Sequence, residues 1–235
     1  MFSRRRSRRI ALATAAIAIG GGAYGIVSAT SSGGSAAAVA AAVGSNPRFG
    51  PAAGGASNAR SGPAAGGTVG TVGSVSTSSF TVSTSAGQKV TVHKASSTNY
   101  KKGTQPAPAS AVKTGEVVLV LGTTNGTTIM ATQVIVQATV SRSATSSAVV
   151  PFQQGAPSAS KQVGQIPANY SQGSGTIVSG TTANKATEAA LAAYPGGIVN
   201  RVVKLSNGEY EVHNIGVNWP HHIFVNQNFK VIGAN

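Results

Sequence analysis

The sequence predicts a mainly β protein with some α+β structure: a small β-barrel, then a module of one helix and an antiparallel sheet, joined by disordered linkers. Three observations predict this class. Short Val- and Thr-containing runs alternate with Gly- and Ser-rich turns over residues 68–137, as in barrels built from short strands. An Ala-rich helical pattern followed by apolar runs fills residues 183–235. The remaining segments are mostly Ala, Gly, Ser and Pro, a composition that buries too little apolar area to fold.

Composition and charge restrict the classes of function. Charged residues make up 9% of the 235 residues, against about 25% in ordinary domains. The net charge is +14, and beyond the first nine residues the basic side chains are thinly spread. Nucleic-acid binders concentrate these side chains on one face, so we expect no nucleic-acid partner and a basic surface suited to an anionic wall or membrane. The absence of Cys excludes disulfides and thiolate metal sites.

Residues 1–29 have the pattern of an export signal. An Arg-rich stretch at residues 4–9 precedes an apolar run from Ile10 to Ala29, the two parts of a signal peptide. The small residues of Val27-Ser28-Ala29 suit cleavage, whereas an uncleaved run would act as a membrane anchor. Ser7-Arg8-Arg9-Ile10-Ala11-Leu12 resembles the twin-arginine export motif, and general secretion is the alternative. The sequence therefore predicts an extracytoplasmic protein, secreted or anchored to the membrane by its N-terminal helix.

Residues 30–67 are predicted to be a disordered Ala/Gly/Pro linker, and residues 68–137 the barrel domain. The barrel strands are separated by turn signals, of which Asn125-Gly126 is the strongest because this pair favours a tight hairpin turn. The apolar residues that mark strands are Val69, Val72, Val75, Phe80, Val82, Val90 and Val92, followed by the runs Glu116–Leu121 and Thr127–Gln137.

The barrel segment resembles a family of exported bacterial β domains of unknown function. The shared pieces, in order, are Gly-Thr-Val, Ser-Phe-Thr-Val, Val-Thr-Val, Val-Lys-x-Gly-Glu and Thr-Asn-Gly, between Gly67 and about Gln137. The resemblance implies an OB-like barrel. Such barrels can bind oligonucleotides or sugars through one face, but only Phe80 and Tyr100 offer aromatic contacts here. A spacer or protein-contact role is therefore favoured for this domain.

Residues 138–182 return to a polar, low-complexity composition and are predicted to be a second linker. The final module, residues 183–235, begins with a helix over Asn184–Tyr194, capped by Thr182 or Asn184. Pro195-Gly196-Gly197 ends it. Four strands follow, over Ile198–Leu205, Glu209–Val217, His222–Val225 and Phe229–Ile232.

This last module resembles the PepSY family of exported bacterial domains. The matching pieces are the Ala-rich helix ending in Tyr194-Pro195-Gly196, the Gly208-Glu-Tyr-Glu-Val strand and the terminal Ile223-Phe-Val-Asn and Phe229-Lys-Val segments. The resemblance implies a helix packed on an antiparallel sheet. It also implies binding or inhibition of peptidases, or sensing of extracytoplasmic conditions.

A metal site is one hypothesis for the C-terminal module. Glu209, Glu211 and His213 alternate along a strand and so share a face, and His221 and His222 begin the next strand. Imidazole and carboxylate groups together suit Zn, Cu or Ni. The competing interpretation is an ordinary solvated face, because Tyr210 and Val212 would then face the core. Adjacent histidines also point to opposite faces.

A protein-contact patch is the other hypothesis for this region, because Trp and Tyr dominate interface hot spots. Trp219 is open to two interpretations: it lies in this exposed patch, or it plugs the open end of a small sheet. The predicted contact residues are Tyr210, Trp219, Pro220, His221, His222 and Phe224.

Catalysis is not expected, and no cofactor is predicted. The chain has no Asp to orient a histidine and no Gly-x-Ser-x-Gly elbow. We therefore expect an exported, non-enzymatic cell-envelope protein that binds an extracytoplasmic protein, with a peptidase as one candidate partner. A metal-binding or metal-sensing protein and a structural wall-associated spacer are the alternatives. The sequence does not indicate an oligomeric state.

Overall fold

The computed structural model describes residues 62–137, 148–155 and 161–235. The predicted export signal, the first linker up to residue 61 and parts of the second linker lie outside these ranges. The described chain is mainly β with one α-helix, α1 (Gly180–Ala193), and a 3-10 turn at Ala109–Ala111. Its strands are β1 (Ala64–Val75), β2 (Ser79–Ser83), β3 (Lys89–Lys102), β4 (Gln105–Pro106), β5 (Val117–Asn125), β6 (Thr128–Gln137), β7 (Val150–Pro151), β8 (Val163–Gly164), β9 (Thr176–Ile177), β10 (Ile198–Lys204), β11 (Tyr210–Ile215), β12 (Val217–Trp219), β13 (His222–Val225) and β14 (Val231–Ala234).

Five strands form a closed barrel in the order β1–β2–β3–β6–β5, with β5 returning to β1. All neighbouring pairs are antiparallel except β3 and β6, which are parallel. Alternate residues of each strand point inward, so small β-branched side chains fill the interior. The predicted small barrel is thereby confirmed. Its core includes Val72, Phe80, Val82, Val90, Val92, Val118, Val120, Ile129, Val134 and Val136.

Strand β1 lies between two neighbours along its first half. Gly66 and Gly67 pair with β5, and Gly67 and Thr68 also pair with β10. A Cβ atom on Gly66 would overlap the carbonyl oxygen of Val199, and one on Gly67 would overlap that of Val120. Glycine is therefore required by close backbone approach on both sides of β1.

The pairing of β1 with β10 continues the sheet beyond the barrel. From β10 the order runs β11–β13–β14–β8, and each pair is antiparallel. The hydroxyl of Thr68 donates a 3.0 Å hydrogen bond to the Gly197 carbonyl at this joint. The strands predicted for the barrel and for the C-terminal module thus belong to one hydrogen-bonded sheet.

Helix α1 covers one face of the C-terminal strands. Its buried side chains Ala183, Ala186, Ala190 and Leu191 pack against Val199, Val202, Val212 and Ile223 of the sheet. The helix begins earlier than predicted, at Gly180, and its N-cap is Ser179, whose side chain makes no capping hydrogen bond. The expected cap at Thr182 or Asn184 is wrong, because both residues lie inside the first turns. No described helix is long and apolar enough to cross a membrane.

The described part of residues 138–182 differs from the predicted linker. Strand β7 pairs with β12, β8 with β14, and β9 with β10. Residues 161–178 also bring Tyr170 onto the sheet face that α1 leaves uncovered, with its ring 4.8 Å from that of Phe224. The sequence did not indicate this because two-residue strands and isolated apolar residues produce no periodic pattern.

Candidate functional site

The sheet face opposite α1 carries a set of polar side chains. Arg201 lies across from His213 in the β10–β11 pair, and His213 lies across from His222 in the β11–β13 pair. Glu211 shares this face because it is two residues from His213. It is only 2% exposed, so the expected solvated face is wrong. The reason is Tyr170, which packs over β13 and closes this side of the sheet.

A cleft of about 680 Å³ opens beside this face. Its walls come from the end of β11, from the stretch around β12 and from the segment that precedes α1. Three histidines, one tryptophan, one lysine and several amide side chains meet there. The lining residues are Lys161, Gln162, Gln172, His213, Ile215, Asn218, Trp219, His221, His222 and Asn235.

The three histidines are held in the same way, since each Nδ1 lies within hydrogen-bond distance of an oxygen. An oxygen acceptor requires a proton on Nδ1, which leaves the lone pair on Nε2. The geometry therefore gives all three rings the same tautomer. The pairs are His213 Nδ1 to Asn200 Oδ1 at 2.6 Å, His221 Nδ1 to the Asn214 carbonyl at 3.2 Å, and His222 Nδ1 to Glu211 Oε1 at 2.8 Å.

His213 stays neutral at pH 7. Burial, followed by the charges of Arg201, His222 and His221 in that order of importance, lowers its pKa from 6.5 to about 3. Both effects oppose a positive charge on the ring. The cleft therefore has a neutral imidazole at its inner wall.

Stability should depend on pH through His213. Between pH 6.5 and pH 3 the unfolded histidine binds a proton that the folded one does not, so folding stability falls as the pH is lowered through this window. We expect His213→Gln to reduce that loss, which urea unfolding of both proteins at pH 7 and pH 4 would measure. Replacing exposed Lys230 by Gln is the control. Equal losses in wild type and His213→Gln would contradict a neutral, buried His213.

The predicted metal ligands are only partly brought together. The ring centroids of His213, His221 and His222 lie 5.2–6.4 Å apart. Within the described ranges, however, no group of three or more His, Asp or Glu side chains is arranged to hold a metal ion. Glu209 lies outside the cluster, in the β10–β11 turn, where its carboxylate accepts a 2.6 Å hydrogen bond from Asn207.

Most of the predicted protein-contact residues are buried. Pro220 is buried, Phe224 lies under Tyr170, and Tyr210 faces α1 and stacks on Phe229 at 5.5 Å. Trp219 is 2% exposed, packs edge-on against Tyr194 and donates a 2.5 Å hydrogen bond to the Lys161 carbonyl. It occupies the position expected of a plug rather than of an exposed patch. His221 and His222 are half-buried and line the cleft.

Sequence reasoning missed two cations beside the cleft. Arg201 is 4% exposed and makes no hydrogen bond or ion pair with any described residue. Lys161 extends over the Trp219 ring, with its Nζ 4.7 Å from the centroid. A signal for Arg201 existed, because it is the one charged residue in the otherwise mostly apolar run Ile198–Val203. No sequence signal indicates the position of Lys161, because that position depends on contacts between residues distant in sequence.

No protein-family model, curated protein or solved structure matches this chain.

Proposed function

We propose that this is an exported, non-enzymatic cell-envelope protein whose C-terminal half binds an extracytoplasmic protein in the cleft. The observation that carries the proposal is the cleft itself, an open groove of about 680 Å³ with amide, imidazole and ammonium groups on its walls. Such groups hydrogen-bond readily to the backbone and polar side chains of a polypeptide. A secreted or membrane-attached peptidase is one candidate partner.

We also infer that the barrel is OB-like and that the second half of the described chain is PepSY-like. The strand order β1–β2–β3–β6–β5, the parallel β3–β6 pair and the 3-10 turn before β5 support an OB-like barrel. Helix α1 followed by the antiparallel strands β10, β11, β13 and β14 supports a PepSY-like second half. Barrel and second half would then act as a support and a binding module.

The hydrogen bonds around His222 favour binding over catalysis. The Tyr170 hydroxyl and the Glu211 carboxylate both approach the same nitrogen, Nδ1, at 3.1 and 2.8 Å. A proton relay of the triad type needs its two partners on the two different ring nitrogens. Burial, followed by the charge of Glu211, also raises the pKa of Tyr170, so its hydroxyl stays protonated and is a poor nucleophile.

A second candidate function is the binding of Zn, Cu or Ni. The tautomers of His213, His221 and His222 favour it, because metal-bound histidines usually donate the other ring nitrogen to an oxygen. The charges of Arg201 and Lys161 oppose it, since both repel a divalent cation. The present ring orientations would also have to change. The third alternative is the wall-associated spacer, supported only by the charge of +14.

Site-directed photo-crosslinking tests the proposed function. The chain has no Cys, so Gln162→Cys and Gln172→Cys each create a unique attachment point at the rim of the cleft for a benzophenone label. We expect a discrete crosslinked species with extracytoplasmic proteins that excess unlabelled protein abolishes. Asn228→Cys, in the exposed turn between β13 and β14, is the matched control and should give none.

Three other results would contradict the protein-binding proposal. Equal crosslinking from Asn228→Cys would show that the cleft has no special role. A crosslink that a chelator removes and Zn²⁺ restores would favour the metal function. Failure at all three positions, together with salt-dependent release from anionic wall polymer, would favour the spacer.

A further inference from the structure

From two cations, Lys161 in the wall of the cleft and Arg201 buried on the adjoining sheet face, we infer that the cleft recognises carboxylates, so that its partner presents an acidic polypeptide segment. This inference rests on the proposed function, because it specifies the chemistry of the protein that the cleft binds. It is carried by the guanidinium of Arg201, the ammonium of Lys161 and the state of the nearby carboxylate, Glu211.

Arg201 is the unusual residue of this face. Its side chain is 4% exposed, and arginines are almost never buried unless they are paired. Yet it forms no ion pair and no hydrogen bond with any residue that the structure describes, and its Nε is fully buried without a partner. Because the charge of a guanidinium persists at every physiological pH, an unmatched positive charge lies under this face.

The single acidic side chain nearby does not neutralise Arg201. Glu211 forms no ion pair with the guanidinium. Within the described chain its carboxylate contacts only His222 at ion-pair distance. The side chain of Glu211 does not line the cleft. His213, directly across from Arg201 on β11, is kept neutral first by burial and then by the positive charge of Arg201. The positive charge of Arg201 therefore acts on the inner wall of the cleft at His213.

The second cation stands at the outer wall. Lys161 is exposed, and its Nζ lies over the Trp219 ring, 4.7 Å from the ring centroid. A cleft with low-dielectric walls and one sign of charge concentrates ions of the other sign. A carboxylate entering between Lys161 and His213 would meet a mobile ammonium on one side and the field of Arg201 on the other.

A polypeptide fits the cleft better than a free phosphate or a phosphate polymer. Four amide side chains, Gln162, Gln172, Asn218 and Asn235, line it together with the histidines. Peptide groups require both donors and acceptors, and amide side chains supply both. A phosphate only accepts hydrogen bonds, so it needs donors alone. The Nε2 lone pair of the neutral His213 ring adds a further acceptor for a backbone N–H group.

Arg201 gives this inference a distinctive signature. A buried, unpaired cation destabilises the folded state, and apolar replacements of buried charges are often neutral or stabilising. If Arg201 serves binding, Arg201→Met should weaken ligand binding while leaving the urea midpoint unchanged or higher. If Arg201 is structural, the same variant should unfold more easily and bind as before.

The experiment uses fluorescence anisotropy with the full chain. The probes are a short labelled peptide of Ala, Gly and Glu, and a matched peptide in which every Glu is Gln. We expect the Glu peptide to bind at least about tenfold more tightly, with an affinity that falls as salt is added. Arg201→Met and Lys161→Met should each reduce the preference, Arg201→Lys should retain part of it, and Lys230→Met should leave it intact.

Four outcomes would overturn the inference. Equal affinity for the two peptides would remove the carboxylate preference yet leave the crosslinking result, and hence the proposed function, standing. If polyphosphate bound tightly and neither peptide did, the cations would be shown to bind a phosphate polymer and not an acidic polypeptide. Unaltered binding by a destabilised Arg201→Met would make the arginine structural. Should that variant fail to fold, Arg201→Lys and Lys161→Met still decide the question. If both of these variants kept the full preference for the Glu peptide, recognition by the cations would be contradicted.

Discussion

Replacing Trp219 by Ala is expected to lower the free energy of unfolding by about 3–5 kcal/mol. Trp219 is the largest fully buried side chain, and its ring packs edge-on against Tyr194 at the C-terminal end of α1. Truncation would leave a cavity beside Tyr194 and remove the hydrogen bond to the Lys161 carbonyl. Segment 161–178 would lose one of its attachments to the sheet as well.

Urea unfolding followed by far-ultraviolet circular dichroism measures this effect without relying on tryptophan fluorescence. Phe152→Ala is the matched control, because Phe152 is also a large aromatic residue but is 57% exposed. Its removal should change the free energy of unfolding by no more than about 0.5 kcal/mol. A similarly small effect of Trp219→Ala would show that the tryptophan does not fill the core at this end of the sheet.

Gly66→Ala should produce the second large effect, a loss of about 3 kcal/mol in the free energy of unfolding. The added methyl group would overlap the backbone oxygen of Val199, and a backbone atom cannot rotate away as a side chain can. Strands β1 and β10 would have to separate where the sheet passes from the barrel to the C-terminal half. Hydrogen exchange should therefore accelerate at the amides of Gly67, Thr68 and Val199.

The control for this prediction is Gly62→Ala. Nothing lies within 4 Å of a Cβ at Gly62, and its backbone does not need the left-handed region. The substitution there should be neutral or slightly stabilising, because alanine restricts the unfolded chain. If the two variants had equal stability, the close approach of β1 and β10 would not be a constraint on the fold.

Much of the secondary structure could be predicted because its signals are local. The Ser206-Asn207-Gly208 turn joins β10 and β11, and Gly208 has the positive φ of 84° that an Asn-Gly hairpin requires. The last strand, expected over Phe229–Ile232, instead begins at Val231. Phe229 adopts a left-handed φ of 56° in the preceding turn, a conformation that a bulky aromatic residue rarely takes and that its apolar character therefore did not suggest.

The candidate site could be predicted only in part. Alternation placed Glu211 and His213 on one face, and the structure places them there. What covers that face depends on Tyr170, which is separated from His222 by 52 positions, and no local pattern indicates such a contact. For the same reason the sequence did not distinguish a solvated face from a buried one, and Arg201 did not stand out as an unpaired charge.

The pairing of β1 with β10 has a consequence for the order in which the chain can fold. Thr68 and Gly197, bonded at the joint, are 129 positions apart, and contacts so distant in sequence slow folding because a long loop must close first. During synthesis all five barrel strands emerge before β10 exists. Until then, the outer edge of β1 at Gly67 and Thr68 stays open to any other strand. A barrel that forms before β10 is therefore exposed to mispairing at this edge.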